Sequence, residues 1–204
     1  MFIIEKEVSH ELTINKSRFI TFLKPIDSEA AASQYLKEVK KNHPKATHHC
    51  YAYIIEPHIN RSNDDGEPAG TAGVPILEVL LKQELTNLIA VVVRYYGGIP
   101  LGAGGLIRAY SRSVSETLKL VDTYQLVETK VYQVSFGYHQ IDLINSFLGN
   151  NQILNKDFQE TVTYQFATND IDIIKGITNL TSGTVIPQFL ETRLISSIKK
   201  DTEK

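Results

Sequence analysis

The residues best suited to chemistry lie in one run, Arg94-Tyr95-Tyr96-Gly97-Gly98-Ile99-Pro100-Leu101-Gly102-Ala103-Gly104-Gly105-Leu106-Ile107-Arg108-Ala109-Tyr110, with Arg112 just beyond it. Arg108 and Arg112 stand one helical turn apart, and arginine presents a planar fork of donors that matches carboxylate and phosphate. The glycines let backbone N–H groups approach a partner above the start of the following helix, where Gly104 and Gly105 fall. Orphan donors and partial positive charge favour an anion there. The run lacks the Gly-Lys-Ser/Thr ending of a Walker A loop and the spacing of a dinucleotide fingerprint. A tight strand-to-helix turn that needs glycine only for close packing accounts for the same residues.

Two further clusters precede this run. His48-His49-Cys50 opens a strand-like stretch, and alternation sends His48 and Cys50 to one face and His49 to the other. No local metal triad forms that way. No second Cys/His pair with ligand spacing exists, so neither a metal nor a cofactor is expected. Arg61–Gly73 is a long polar loop carrying Asp64, Asp65 and Glu67. Carboxylates beside histidines suit acid–base chemistry or magnesium, and equally suit turn formation. A structured binding loop is the favoured reading, and no catalytic residue is assigned.

The elements that must position these groups follow from periodicity and turn chemistry. Ile3–Leu12 and Arg18–Pro25 read as strands joined by Asn15-Lys16-Ser17. Asp27-Ser28 caps a helix whose Ala32, Tyr35, Leu36 and Val39 face inward, and Lys40-Lys41-Asn42-His43-Pro44 ends it as a solvated basic terminus. Val74-Pro75 opens a second helix. Leu88–Val93 is apolar on both faces and reads as a buried central strand. A helix from about Ala103 buries Leu106, Tyr110, Val114, Leu118 and Val121 and turns Arg108, Arg112, Ser115 and Lys119 to another face.

Near Asp122-Thr123-Tyr124 the pattern restarts. Val127–Phe136 reads as a strand, Gln140–Leu148 as a helix and Gly149-Asn150-Asn151 as a turn. Ile153–Asn155 and Gln159–Ala167 read as a hairpin, Asp170–Leu180 as a helix and Thr184–Ile195 as a final strand. Lys199–Lys204 is a charged tail. Strand-helix-strand-strand-helix-strand is the split βαβ, ferredoxin-like pattern. Two domains are expected, 1–123 and 124–204, in an α+β fold.

The 204 residues, 42% hydrophobic and 22% charged, suit a globular chain able to bury a core. A net charge of −2 argues against a strongly basic, sequence-blind DNA binder, so nucleic acid would need a local patch. The single cysteine, Cys50, allows no internal disulfide. The N-terminus has no signal-peptide pattern and no segment is apolar enough to span a bilayer. A cytoplasmic protein with no membrane partner is expected. Five of the six histidines and five of the six arginines precede Tyr124, which places the chemistry in the first domain.

Three motifs together are specific. Asp64-Asp65-Gly66-Glu67-Pro68-x-Gly70-Thr71-Ala72-Gly73, His48-His49-Cys50-x-Ala52-Tyr53, and the run from Val93 through Tyr110 resemble the Impact family, the YigZ-like proteins, with Ser17-Arg18-Phe19 ahead of them. The likeness covers most of Glu5–Lys119, and the remainder is similar to the family's bacterial C-terminal domain. The sequence carries no RWD domain such as eukaryotic members have, so their specific role is not carried over. The resemblance implies a first domain like the second domain of ribosomal protein S5 and a ferredoxin-like second domain, similar to domain V of elongation factor G. It also implies a regulator of translation or stress response, or a nucleic-acid-binding protein, with no established enzymatic activity.

The leading expectation is therefore a binding protein whose partner is RNA, the ribosome or a translation factor. Arg94, Arg108 and Arg112 would meet phosphates, and Tyr95, Tyr96 or Tyr110 would offer stacking faces. Arg18, His48, His49, Asp64, Asp65 and Glu67 complete the candidate set, gathered on the family fold around one cleft with Arg94. An enzyme acting on a phosphorylated metabolite, with a kinase-like glycine loop, is the first alternative. A protein–protein adaptor is the second.

Overall fold

A computed structural model of the chain describes residues 1–56, 59–149 and 151–199. His58, Asn150 of the 149–151 turn, and the tail from residue 200 lie outside the described residues. The chain runs β1 (Phe2–Ile4), β2 (Val8–Ile14), β3 (Ser17–Pro25), α1 (Glu29–Asn42), β4 (His48–Ile55), β5 (Ile59–Asn63), α2 (Gly73–Lys82), β6 (Leu88–Tyr95) and α3 (Gly102–Leu118). It continues through β7 (Thr123–Phe136), a 3-10 turn at Tyr138–Gln140, α4 (Ile141–Leu148), β8 (Gln152–Phe158), β9 (Val162–Ala167), α5 (Ile171–Leu180) and β10 (Gln188–Lys199). This is a mixed α+β chain with antiparallel sheets, in two compact units. One is Met1–Leu126, rejoined by the chain at Ser196, and the other is Val127–Ile195. The units part inside β7, three residues beyond the 123/124 position read from the pattern restart.

In the first unit the sheet order is β2-β3-β6-β4-β5, antiparallel throughout. β6 lies in the middle, and Leu88 through Arg94 are all buried. Its two faces feed two cores. Ile89, Val91 and Val93 pack with Tyr35 and Val39 of α1. Leu88, Ala90 and Val92 pack with Ile76 and Leu80 of α2 and with Leu106, Tyr110 and Val114 of α3. Helices on both faces explain an apolar run without alternation. α1 starts where expected, with the Ser28 hydroxyl accepting from the Ala31 N–H at 3.2 Å.

In the second unit β9 pairs antiparallel with both β7 and β8, and β10 pairs with β7, giving the order β8-β9-β7-β10. Its core joins Val134, Phe136, Tyr164 and Phe166 to Ile144 and Leu148 of α4 and Ile177 of α5.

Several boundaries differ from the sequence reading, each for a physical reason. Ile3–Leu12 is not one strand. Phe2–Ile4 pairs with Thr123–Gln125, Val8–Ile14 pairs with β3, and the chain must break at 5–7 to change partners. Arg61–Asn63 belongs to β5, whose polar residues are tolerated because the strand is an edge that, among the described residues, pairs with β4 alone. Val121 lies beyond the end of α3. The hairpin strands are β8 and β9, with Gln159 in the turn between them, and a register irregularity between Ile153 and Asn155 hides the alternation. Thr184 and Val185 precede β10 in a turn, where Thr181 Oγ1 accepts from the Val185 N–H. No helix among the described residues is long and apolar enough to cross a membrane.

Candidate functional site

Four of the candidate residues converge beneath the end of β6. The Arg94 side chain emerges on the α2/α3 face, shared by strand parity with Ala90 and Val92, and the residue is only 4% exposed. Its Nη1 donates to Glu67 Oε1 at 2.6 Å, and Nη2 donates to Ser17 Oγ at 3.3 Å. The Tyr110 hydroxyl donates to the same Glu67 oxygen at 2.8 Å, and the Cys50 thiol donates to the Tyr110 oxygen at 3.3 Å. His48, directly across from Arg94 on β4, sets Nε2 3.8 Å from Glu67 Oε1. Its Nδ1 lies 2.9 Å from the Asp65 carbonyl, an acceptor only, so Nδ1 is the donor there and Nε2 faces the Glu67 carboxylate.

Two members of this network hold their protons. Burial pushes the Cys50 thiol up to about 12, so it stays protonated at neutral pH. Burial, then the neighbouring Cys50 and Glu67, raise the Tyr110 phenol well above its ordinary value, which keeps it a donor. Neither is poised as a nucleophile. Arg94 is not available to a phosphate as expected, because its charge is neutralised inside by Glu67. One polar atom of the cluster, Arg94 Nε, is buried without a partner among the described residues.

The acidic loop is scaffolding on two sides of this cluster. Asp64 Oδ1 accepts from the Ala72 and Gly73 N–H groups at 3.0 and 2.8 Å, and Oδ2 accepts from Gly70 at 2.8 Å. It thereby caps α2, whose N-cap residue Ala72 has no side-chain bond of its own. Burial opposes ionisation of Asp64, but the three N–H donors outweigh it and hold the carboxyl below its ordinary range. Asp65 accepts from the His49 N–H at 2.7 Å and from Lys40 Nζ at 2.9 Å. Its carboxyl is likewise lowered, burial again opposing the Lys40 and His49 contacts. Lys40 is thus a tether for the loop as well as a basic helix end. Both oxygens of Asp64 and of Asp65 are engaged in these contacts, and among the described residues no three His, Cys, Asp or Glu side chains are placed to hold a metal.

The remaining candidates divide between two surfaces. Arg18, His49 and Tyr95 lie on the α1 face of the sheet. Arg18 forks onto Glu11 at 2.8 and 2.9 Å, His49 Nε2 meets the His43 carbonyl, and the Tyr95 hydroxyl meets His43 Nδ1 at 3.0 Å. Tyr96, Gly104, Arg108 and Arg112 instead face outward at and after the glycine turn. Gly97 seats the turn, since a Cβ there would lie 2.0–2.5 Å from the Lys16 and Ser17 backbone. Gly98, at φ +83°, carries the chain away with open space above it. Gly105 packs against Leu101, and Arg108 Nη1 folds back to 3.5 Å from the position of a Cβ on Gly104. α3 begins without a side-chain cap and without an acidic residue in its first turn. Neither Arg108 nor Arg112 has an ion pair among the described residues, whereas Glu116 is taken by Lys119 at 2.9 Å. The contributions of Ser17, Lys40 and Cys50 were not legible as site residues.

Residues 15–118 match the family model of the Impact N-terminal domain. The chain belongs to the Impact family. It is 44% identical over 169 residues to the Impact family member YvyE of Bacillus subtilis, covering 82% of this chain and 78% of that protein. It is 41% identical over 160 residues to YigZ of Escherichia coli, covering 76% and 78%. A crystal structure described as that of a hypothetical protein matches with a TM-score of 0.61 at 35% identity, over 93% of this chain and 97% of the other. The motifs shared with the Impact family thus divide here into an internal brace, Glu67–Arg94–Tyr110, and an outward face on α3.

Proposed function

We propose that this Impact-family chain regulates translation by binding RNA, free or within the ribosome, through the outward face of α3 and its glycine turn. One observation carries the reading: Arg108 and Arg112 stand exposed one turn apart and make no ion pair among the described residues, the Glu116 carboxylate one turn beyond Arg112 feeling its charge but being bonded to Lys119. A like-charge pair at that spacing costs a helix about 0.2–0.5 kcal/mol, which Glu116 offsets in part from the Arg112 side, and an anionic partner would relieve the rest. The uncapped start of α3 and the open glycines let a phosphate approach the backbone beside those guanidinium groups. The reading has the first unit share the fold of the second domain of ribosomal protein S5, with the functional division falling at 123/124. It has the second unit ferredoxin-like, which the β8-β9-β7-β10 order built from two strand-helix-strand halves supports.

Co-sedimentation with ribosomes from lysate tests the reading. Wild-type protein is expected in the ribosomal fractions at low salt, released as salt rises, and the Arg108→Ala/Arg112→Ala variant is expected to stay at the top of the gradient. Wild-type protein absent from ribosomal and RNA fractions at low salt would overturn it.

A further inference from the structure

An RNA-binding face on α3 leaves open which form of RNA it takes, and the tyrosines answer that. Tyr110 is fully buried with its hydroxyl on Glu67. Tyr95 lies on the α1 side, bonded to His43 and covered by the Arg18 guanidinium, 5.2 Å from its ring centroid. Tyr96 is different. It is 49% exposed, and the guanidinium carbon of buried Arg94 lies 5.5 Å over its ring. A cation fixed by Glu67 and Ser17 therefore backs one face of an aromatic side chain that is otherwise half open to solvent. The backbone beneath it is held, since the Tyr96 N–H donates to Thr47 Oγ1 at 3.1 Å and Gly97 is seated on the Lys16–Ser17 turn. Such a ring is a platform already in place.

We infer that the partner is single-stranded RNA, with one unpaired base stacked on Tyr96 and its neighbouring phosphates on Arg108, Arg112 and Lys16. The inference rests on the RNA-binding reading and narrows it. A duplex keeps its bases stacked on each other and offers a side chain no free base face, whereas an unpaired base stacks on any exposed aromatic. Charge points the same way. Three exposed cations suit a short stretch of backbone, and a chain of net charge −2 supplies no broad positive field to track a duplex. Arg94 enters as a positioning residue that holds the platform outward.

The test is fluorescence anisotropy of the full chain against a labelled RNA strand, single or annealed to its complement, with a second single strand carrying 2-aminopurine at an internal position. The wild type is expected to prefer the single strand and to quench the 2-aminopurine. Tyr96→Ala is expected to lose about 5- to 150-fold in affinity, the equivalent of about 1–3 kcal/mol for one stacked base, and to abolish the quenching. Tyr96→Phe, which keeps the ring, is expected to bind like wild type, and equal melting temperatures for the three proteins would show that the fold is intact. Equal affinity for duplex and single strand, or a Tyr96→Ala protein that binds as wild type while Arg108→Ala/Arg112→Ala does not, would overturn the stacking site and leave RNA binding standing. Absence of binding to either RNA at low salt would overturn both.

Discussion

Arg94 and Arg108 are the same residue type in one motif, yet they do opposite work. Arg94 is the cation of a buried pair, and removing one partner of such a pair costs about 3–5 kcal/mol because the other charge is left unpaired. Arg94→Met or Glu67→Gln is therefore expected to lower the urea midpoint strongly, and the double variant to recover a large part of the loss, as read from a double-mutant cycle. Arg108→Ala/Arg112→Ala should leave the thermal midpoint nearly unchanged, because removing a repulsive pair and adding the best helix former offset the loss of the Arg112 attraction to Glu116. Cys50 reports on the same brace. With its thiol held up at about 12, it should resist Ellman's reagent in the native protein at pH 8 and react fully once urea unfolds the chain. Residue type did not separate the two arginines, and the sequence reading placed both on phosphates. Leu88, Ala90, Val92 and Arg94 share the face under α2 and α3, but the other face of the strand is equally apolar, so alternation could not tell that the Arg94 charge is buried. Tyr110 was legible as core from its place in the apolar stripe of α3, and that placement outranks its aromatic chemistry.

At the scale of elements, the acidic loop caps α2 through Asp64, nine residues upstream of Gly73. Asp64→Ala removes three N–H partners at once and is expected to cost about 0.5–2 kcal/mol, measured by chemical denaturation at pH 7. The pH dependence has a definite sign. Asp64 and Asp65 titrate lower in the folded chain than in the unfolded one, so the stability they add is complete above the ordinary aspartate value of about 3.9. It is lost as the pH falls below that through the folded values. Asp64→Asn should accordingly flatten the acid limb of the stability curve, and an unchanged limb would refute the capping role. The glycine turn is built as tightly. Gly97→Ala puts a methyl carbon within 2.0–2.5 Å of the Lys16–Ser17 backbone and should lift the turn off β3, lowering the thermal midpoint, whereas an alanine at Gly98 meets open space and only the strain of a positive φ. Central strand, capped α1 and the two-arginine face of α3 could all be read from periodicity. β5 and the β8–β9 register could not, because an edge strand rich in polar residues and a bulged strand both break the alternation on which such reading depends.

At the scale of the molecule, two compact units share the chain, and the candidate site residues all lie in the first. Within it Glu67, Arg94 and Tyr110 form a buried brace, while Tyr96, Arg108 and Arg112 are exposed. The central claim is that this outward face, rather than the buried arginine, meets phosphate. The salt dependence of RNA affinity tests it most directly. With Arg108, Arg112 and Lys16 each neutralising one phosphate of a single strand, the log–log slope of affinity against salt should be about −2 for the wild type and about −0.7 for Arg108→Ala/Arg112→Ala. A variant that keeps the wild-type slope, or a wild-type affinity that does not change with salt, would contradict the account.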